Sequence, residues 1–131
     1  MSAYTAAKVA LGRKQLHLET DPLYFCLVST GYVFSAGHTA MTSVAAYRLG
    51  ADVAATGLDF TGAILAANSP TFSAVPTGST AAAFVFYQKG INDAASMPIE
   101  YLALASNIPT NGGDIQVAIP TTGNKLFALA G

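Results

Sequence analysis

Short apolar runs separated by turn residues recur along the chain, and most of them alternate with a period of two. Residues 15–19 set Leu16 and Leu18 between polar neighbours, and Asp21 and Pro22 then break the run. Leu23 to Ser29 is apolar at nearly every position, the pattern of a central strand covered on both faces. Residues 53–56 predict a brief strand, and 58–66 another, with Leu58, Phe60 and Ile64 inward and Gly62 marking a bulge. Residues 71–75 alternate as an edge strand. Residues 80–88 predict the strongest strand of the chain, ending in Phe84, Val85, Phe86 and Tyr87. Strands over 99–105, 114–120 and 125–129 follow. Gly31, Asn68-Ser69-Pro70, Pro76 to Ser79, Asn111-Gly112-Gly113 and Thr121 to Asn124 supply the turns.

Residues 38–49 are the one stretch with helical spacing, through Met41, Val44, Ala45 and Leu49, with Gly50 as a stop. Residues 1–7 show no strong alternation and read as a mobile N-terminal arm. The expectation is a single domain over 1–131. It is all-β, an antiparallel β-sandwich of jelly-roll or immunoglobulin-like type, with at most one short helix around residues 38–49.

Composition sharpens that reading. Of 131 residues 52% are hydrophobic and only 10% charged, against about 25% charged in an ordinary soluble domain. The surface is then built from neutral Ser, Thr, Asn and Gly, or is covered by other chains, as obligate interfaces are. With a formal net charge of −1, association into a homo-oligomer or larger assembly is expected. The basic residues are scattered apart from Arg13 and Lys14, and there is no Trp, so nucleic acid is a poor partner. No run approaches the ~20 apolar residues of a membrane helix. Lys8, Arg13, Lys14 and Glu19 interrupt any secretory signal. The lone Cys26, inside the run of residues 23–28, reads as a buried hydrophobe in a protein made in a reducing compartment.

The supply of catalytic groups is small. His17, Glu19 and Asp21 share a strand face without further ligands at metal spacing, so they read as a solvated face and no metal is expected. His38, between Gly37 and Thr39, reads as a polar loop histidine. The acidic residues lie mostly at loops and strand ends. Glu100 is the exception, in an apolar strand, and reads as a carboxylate on the outward face of an edge strand. The run Asn111 to Asp114 leads into a strand, which suits a tight turn and not the phosphate cradle that a helix N-terminus makes. No catalytic residue and no cofactor is expected, and the chain reads as no enzyme.

Several segments resemble a family of small tailed-bacteriophage virion proteins linked with head decoration or accessory virion roles. They are Leu27-Val28-Ser29 with Gly31-Tyr32-Val33-Phe34 and His38-Thr39; Ala83 to Lys89; Pro98-Ile99-Glu100-Tyr101; Asn111 to Ile115; and Asn124 to Phe127. The resemblance spans roughly Leu23 to Leu129, and the segment up to Asp21 lies outside it. It implies a β-sandwich carried in many copies on a symmetric shell, or else a tail or spike component. The leading expectation is a capsid decoration or cement protein on the capsid exterior, made in the host cytoplasm. Its partners would be the major capsid protein or other virion proteins. Exposed loop aromatic residues, Tyr4, Tyr32 and Tyr47, are the expected interface anchors. A phage tail, spike-base or receptor-binding component is the alternative, and a small carbohydrate-binding β-sandwich module is a second.

Overall fold

A computed structural model describes residues 2–13, 22–57, 59–61, 64–117 and 127–128. The expected strand at 15–19, the His17, Glu19 and Asp21 face, the bulge at Gly62 and Asn124-Lys125 lie outside the described residues. In chain order the elements are β1 (Ser2–Ala3), α1 (Thr5–Gly12), β2 (Leu23–Ser29), α2 (Thr42–Ala45), β3 (Val53–Ala54), β4 (Asp59–Thr61), β5 (Ile64–Ala66), β6 (Thr71–Phe72), β7 (Thr80–Gln88), β8 (Met97–Pro109), β9 (Ile115–Gln116) and β10 (Phe127–Ala128). A single 3₁₀ turn, Asp93–Ala95, precedes β8.

Among the described residues the chain is mostly β-strand, and every strand pairing is antiparallel. Five strands form the principal sheet in the order β1-β8-β7-β2-β3, while β10-β5-β4 and β6-β9 form smaller sheets. The core of the sheet is the three adjacent strands β2, β7 and β8. Phe25 pairs with Phe86 and Leu27 with Phe84, so their rings share one face, here the front. Cys26 pairs with Val85 and Val28 with Ala83 on the opposite face, the back. Alternation sends successive side chains to opposite faces, and because both sets are apolar, both faces need a cover.

The front face is rich in phenylalanine, with the Phe25 ring 5.7 Å from Phe84 and 5.2 Å from Phe86 between centroids. Phe72 and Val75, Ile115 and Val117, and Ala7 and Ala10 of α1 close over it. The back face is covered by Tyr4, Tyr32, Met41 and Val44, with Phe34 and Tyr101 half-buried beside them. The chain between β2 and β3 supplies most of this second cover. It crosses the back face, then returns along β2, where the amides of Ser29 and Leu49 bond to the carbonyls of Tyr47 and Leu27 at 3.0 and 2.8 Å.

Three expectations need correction. First, the N-terminal residues form no free arm: Ser2 pairs with Tyr101 and Ala3 with Glu100 at the edge of the sheet, and α1 follows at once. The described residues therefore include two short helices, where at most one was expected. Helix α1 is built from Thr5-Ala6-Ala7-Lys8-Val9-Ala10, where alanine favours helix strongly but gives no contrast between apolar and polar positions. Second, residues 58–66 are not one strand but a hairpin, with Asp59 paired to Ala66 and Thr61 to Ile64. Third, β8 is longer than expected because a wide bulge sets Ala82 against residues 104–107, between the pairs Ala81–Ile108 and Ala83–Ala103. The helical stretch at 38–49 shrinks to the single turn of α2.

Truncating Phe86→Ala should lower unfolding free energy in urea by about 3–5 kcal/mol, since it opens a cavity among rings that cannot collapse together. Truncating the exposed Val33→Ala should change it by less than about 0.5 kcal/mol.

Candidate functional site

Two long connections meet over the back face: residues 30–52, between β2 and β3, and residues 89–96, between β7 and β8. They are joined by the Met41 amide, which lies 3.1 Å from the carbonyl of Asp93 and 2.9 Å from that of Ser96. They are joined again by Arg48, whose two terminal nitrogens meet both carboxylate oxygens of Asp93 at 3.0 and 3.2 Å. This fork-to-fork geometry is the strongest that arginine makes with a carboxylate.

Arg48 Nε also lies 3.0 Å from Asp52 Oδ1, off line for a hydrogen bond, so that contact is ionic. The other oxygen of Asp52 accepts a hydrogen bond from the Tyr87 hydroxyl. Burial, then the bond to Asp52, pushes the Tyr87 phenol well above its ordinary range. The bond to Arg48 holds the Asp93 carboxyl below its usual value. Arg48 in turn binds its proton more tightly than a free guanidinium, chiefly because of Asp93 and against the effect of burial. Cys26 is buried beneath this network, and burial pushes its thiol up to about 12, with the charge of Asp52 acting in the same direction. A thiol so held is a packing group at neutral pH and supplies no nucleophile.

A second polar chain runs under residues 32–38. The hydroxyls of Tyr4 and Tyr32 lie 2.6 Å apart, and the Tyr32 hydroxyl is 2.9 Å from His38 Nδ1. Burial raises both phenols, and for Tyr4 the bond to Tyr32 adds to it. Around them pack Phe34, edge-on to Tyr4 at 4.9 Å, and Tyr101, 5.9 Å from Tyr32. The hydroxyls are therefore the polar tips of a buried aromatic layer, each given a partner.

Of the three expected anchors, Tyr4 and Tyr32 are not exposed loop aromatics. Both are buried, because β1 and the connection after β2 press them onto the back face. Tyr47 is exposed at 36%, its ring lying over Gly31, where a Cβ would sit 3.0 Å from two ring atoms. Nor is Glu100 on an outward face: it is buried in the interior, because β1 lies outside its strand.

The residues that sequence reasoning missed are aliphatic. Ile91 is exposed at 94% and Val33 at 79%. Ile91 sits on a loop with little freedom. The Gly90 amide bonds to Ser96 Oγ at 2.9 Å, and Ser96 Oγ donates to the Asn92 carbonyl at 2.8 Å. Asn92 Oδ1 accepts from the Ala95 amide at 3.0 Å, and Asp93 is held by Arg48. Gly90 is required here, since a Cβ would lie 2.4 Å from the Ala95 carbonyl oxygen. The signal was an isoleucine among Gly90, Asn92 and Asp93, where turn chemistry calls for polar residues.

A cleft of about 200 Å³ opens between the β8 bulge and β9, lined by Phe84, Leu104, Ile108 and Val117 among others, with no carboxylate or histidine among the described residues of its wall. Among the described residues no three His, Cys, Asp or Glu side chains converge as a metal site would need. No helix among them is long and apolar enough to cross a membrane. Comparison of the chain with protein-family models, with curated proteins and with solved structures finds no match.

Replacing Arg48→Met removes the counter-charge of Asp52 and Asp93 together. The variant should lose about 1–3 kcal/mol in a denaturant titration, the lower half being expected because Arg48 and Asp93 are partly solvated. In the unmodified protein Cys26 should resist a thiol reagent at pH 8 until the chain is unfolded, and then react fully.

Proposed function

We propose that this chain is a virion structural protein, a decoration or cement protein that binds the capsid exterior in many copies and reinforces the shell. The observation that carries the reading is Ile91, a fully presented aliphatic side chain on a loop tied down by Arg48, Asn92 and Ser96. An anchor already fixed in place loses little conformational freedom on docking, so more of its burial energy appears as affinity.

The low charge of the chain favours the same role. A surface with 10% charged residues can be covered by a neighbour without stranding ions, the composition that interface centres select. Val33 and Tyr47 are further apolar groups available to a partner. The resemblance of the segments from Leu23 to Leu129 to phage virion proteins favours the major capsid protein or another virion protein as that partner. The mechanism is adhesive: apolar and hydrogen-bonded contacts bridge neighbouring shell subunits and oppose the outward pressure of packaged DNA. It calls for no catalytic residue and no cofactor.

The test is the mass of the purified protein in solution, followed by its co-sedimentation with empty capsid shells. A defined homo-oligomer that pellets with shells to a saturating stoichiometry is expected. Ile91→Asp should fold as the parent does and bind at least about tenfold more weakly, the loss typical of an anchor residue. A stable monomer that ignores shells would overturn the reading, and pelleting with tails alone would replace it with the tail component.

A further inference from the structure

Among the described residues Glu100 is the only charged residue that is fully buried, at 2% exposure. Its register partner in β7 is Phe86, so its carboxyl lies on the phenylalanine-rich front of the sheet. No hydrogen-bond partner meets its Oε2. What lies over it is the N-terminal segment. Ala3 pairs with Glu100 in register, the Tyr4 amide bonds to the Ile99 carbonyl at 3.0 Å, and α1 then folds Ala7 and Ala10 onto the front face. Among the described residues, the charged and titratable groups that act on the carboxyl are Lys8 of α1 and the Tyr4 phenol, joined by the amino terminus ahead of β1. Lys8 is itself exposed. From β7 the neighbour is the uncharged Phe86.

We infer that β1 and α1 form a pH-gated latch, held shut by the protonated Glu100 and released from the edge of β8 when that buried carboxyl ionises. An ionised carboxylate with an unpartnered oxygen in an apolar interior is strongly disfavoured, and the chain relieves it by giving the group water. The N-terminal segment is the cover with the least to lose. Strand β1 contributes two residue pairs and α1 eight residues, whereas β2, β7 and β8 are tied to one another along most of their lengths. Opening uncovers the backbone of β8 near Ile99 to Tyr101, an edge that a strand of another chain can pair.

Burial pushes the Glu100 carboxyl up to about 8, with the amino terminus and Lys8 opposing that shift only in part. In the open state the carboxyl returns to its ordinary 4.5. Between these two values the closed state holds a proton that the open state has lost. Closure is therefore strongest below the open-state value, weakens as pH rises above it, and loses nothing further once the closed state ionises too.

The test is amide hydrogen exchange followed residue by residue, expressed as protection factors so that the intrinsic base catalysis cancels. In the unmodified protein the protection of Tyr4, Lys8 and Arg13 should fall by close to about tenfold per pH unit between about pH 5 and 7.5 and level off above about 8. In Glu100→Gln it should stay flat, and at every pH Val85 and Phe86 should be far better protected than the N-terminal amides, because they exchange only through global unfolding, which shares the same linkage to Glu100. The same slope in both proteins overturns the latch. Protection factors at Val85 and Phe86 equal to those of the N-terminal amides also overturn it, because the opening is then global. A second reading needs no variant: the side-chain carboxyl carbon of Glu100 should titrate in step with the N-terminal loss of protection. A carboxyl that titrates in the ordinary carboxylate range refutes the proposal.

Discussion

Strands β2 and β7 have no polar face to give to water. Phenylalanine and leucine occupy one side of them and cysteine, valine, alanine and tyrosine the other, so the hydrophobic effect acts on both faces at once. Three strands cannot satisfy that demand alone. The remaining elements answer it: β6, β9 and α1 close the front, and the connections around α2 close the back. This requirement explains why so much of a small chain is spent in irregular crossings.

Covering the back face with loops brings a second demand. Irregular backbone over an apolar sheet has polar groups that must find partners. The Met41 amide, Ser96 Oγ and Asn92 Oδ1 meet part of it within the loops. Arg48 then fastens the two connections together through Asp93 and reaches back to Asp52, which receives the Tyr87 hydroxyl from the sheet below. The ionic network thus joins cover to core. Its cost is moderated because Arg48 and Asp93 keep part of their hydration. One product of this bracing is a loop stiff enough to present Ile91.

The strands that the sequence displayed well are those whose signal is local. Residues 23–29 and 80–88 are β2 and β7 to the residue, because continuous apolar runs bounded by turn residues carry their own limits. Helix α1 was hidden because Ala7 and Ala10 suit a close-packed interface without standing out from Ala6 beside them. The pairing of β4 with β5 was hidden because the run 58–66 is apolar on both sides of Gly62 and carries no other breaker. The candidate site was legible least of all. Asp93 lies 45 positions from Arg48, and no spacing rule connects them. Tyr4 and Tyr32 have the same composition signal as Tyr47, yet strand pairing at β1 buries the first and the connection after β2 the second, while the third stays at the surface. Glu100 stood out as an acid in an apolar strand, but its burial depends on a strand from the opposite end of the chain.

One copy of the chain covers both faces of its own sheet, and of the large apolar side chains exposed among the described residues Val33, Tyr47 and Ile91 are on loops and Val9 is on α1. Amide exchange at Val85 and Phe86 of β7, followed by dilution through the dissociation of any oligomer, tests this directly. Protection that persists in the dissociated single chain, with exchange only through global unfolding, is the predicted result. Loss of that protection once the chains separate would contradict it, because a neighbouring copy would then be supplying a cover that the chain lacks.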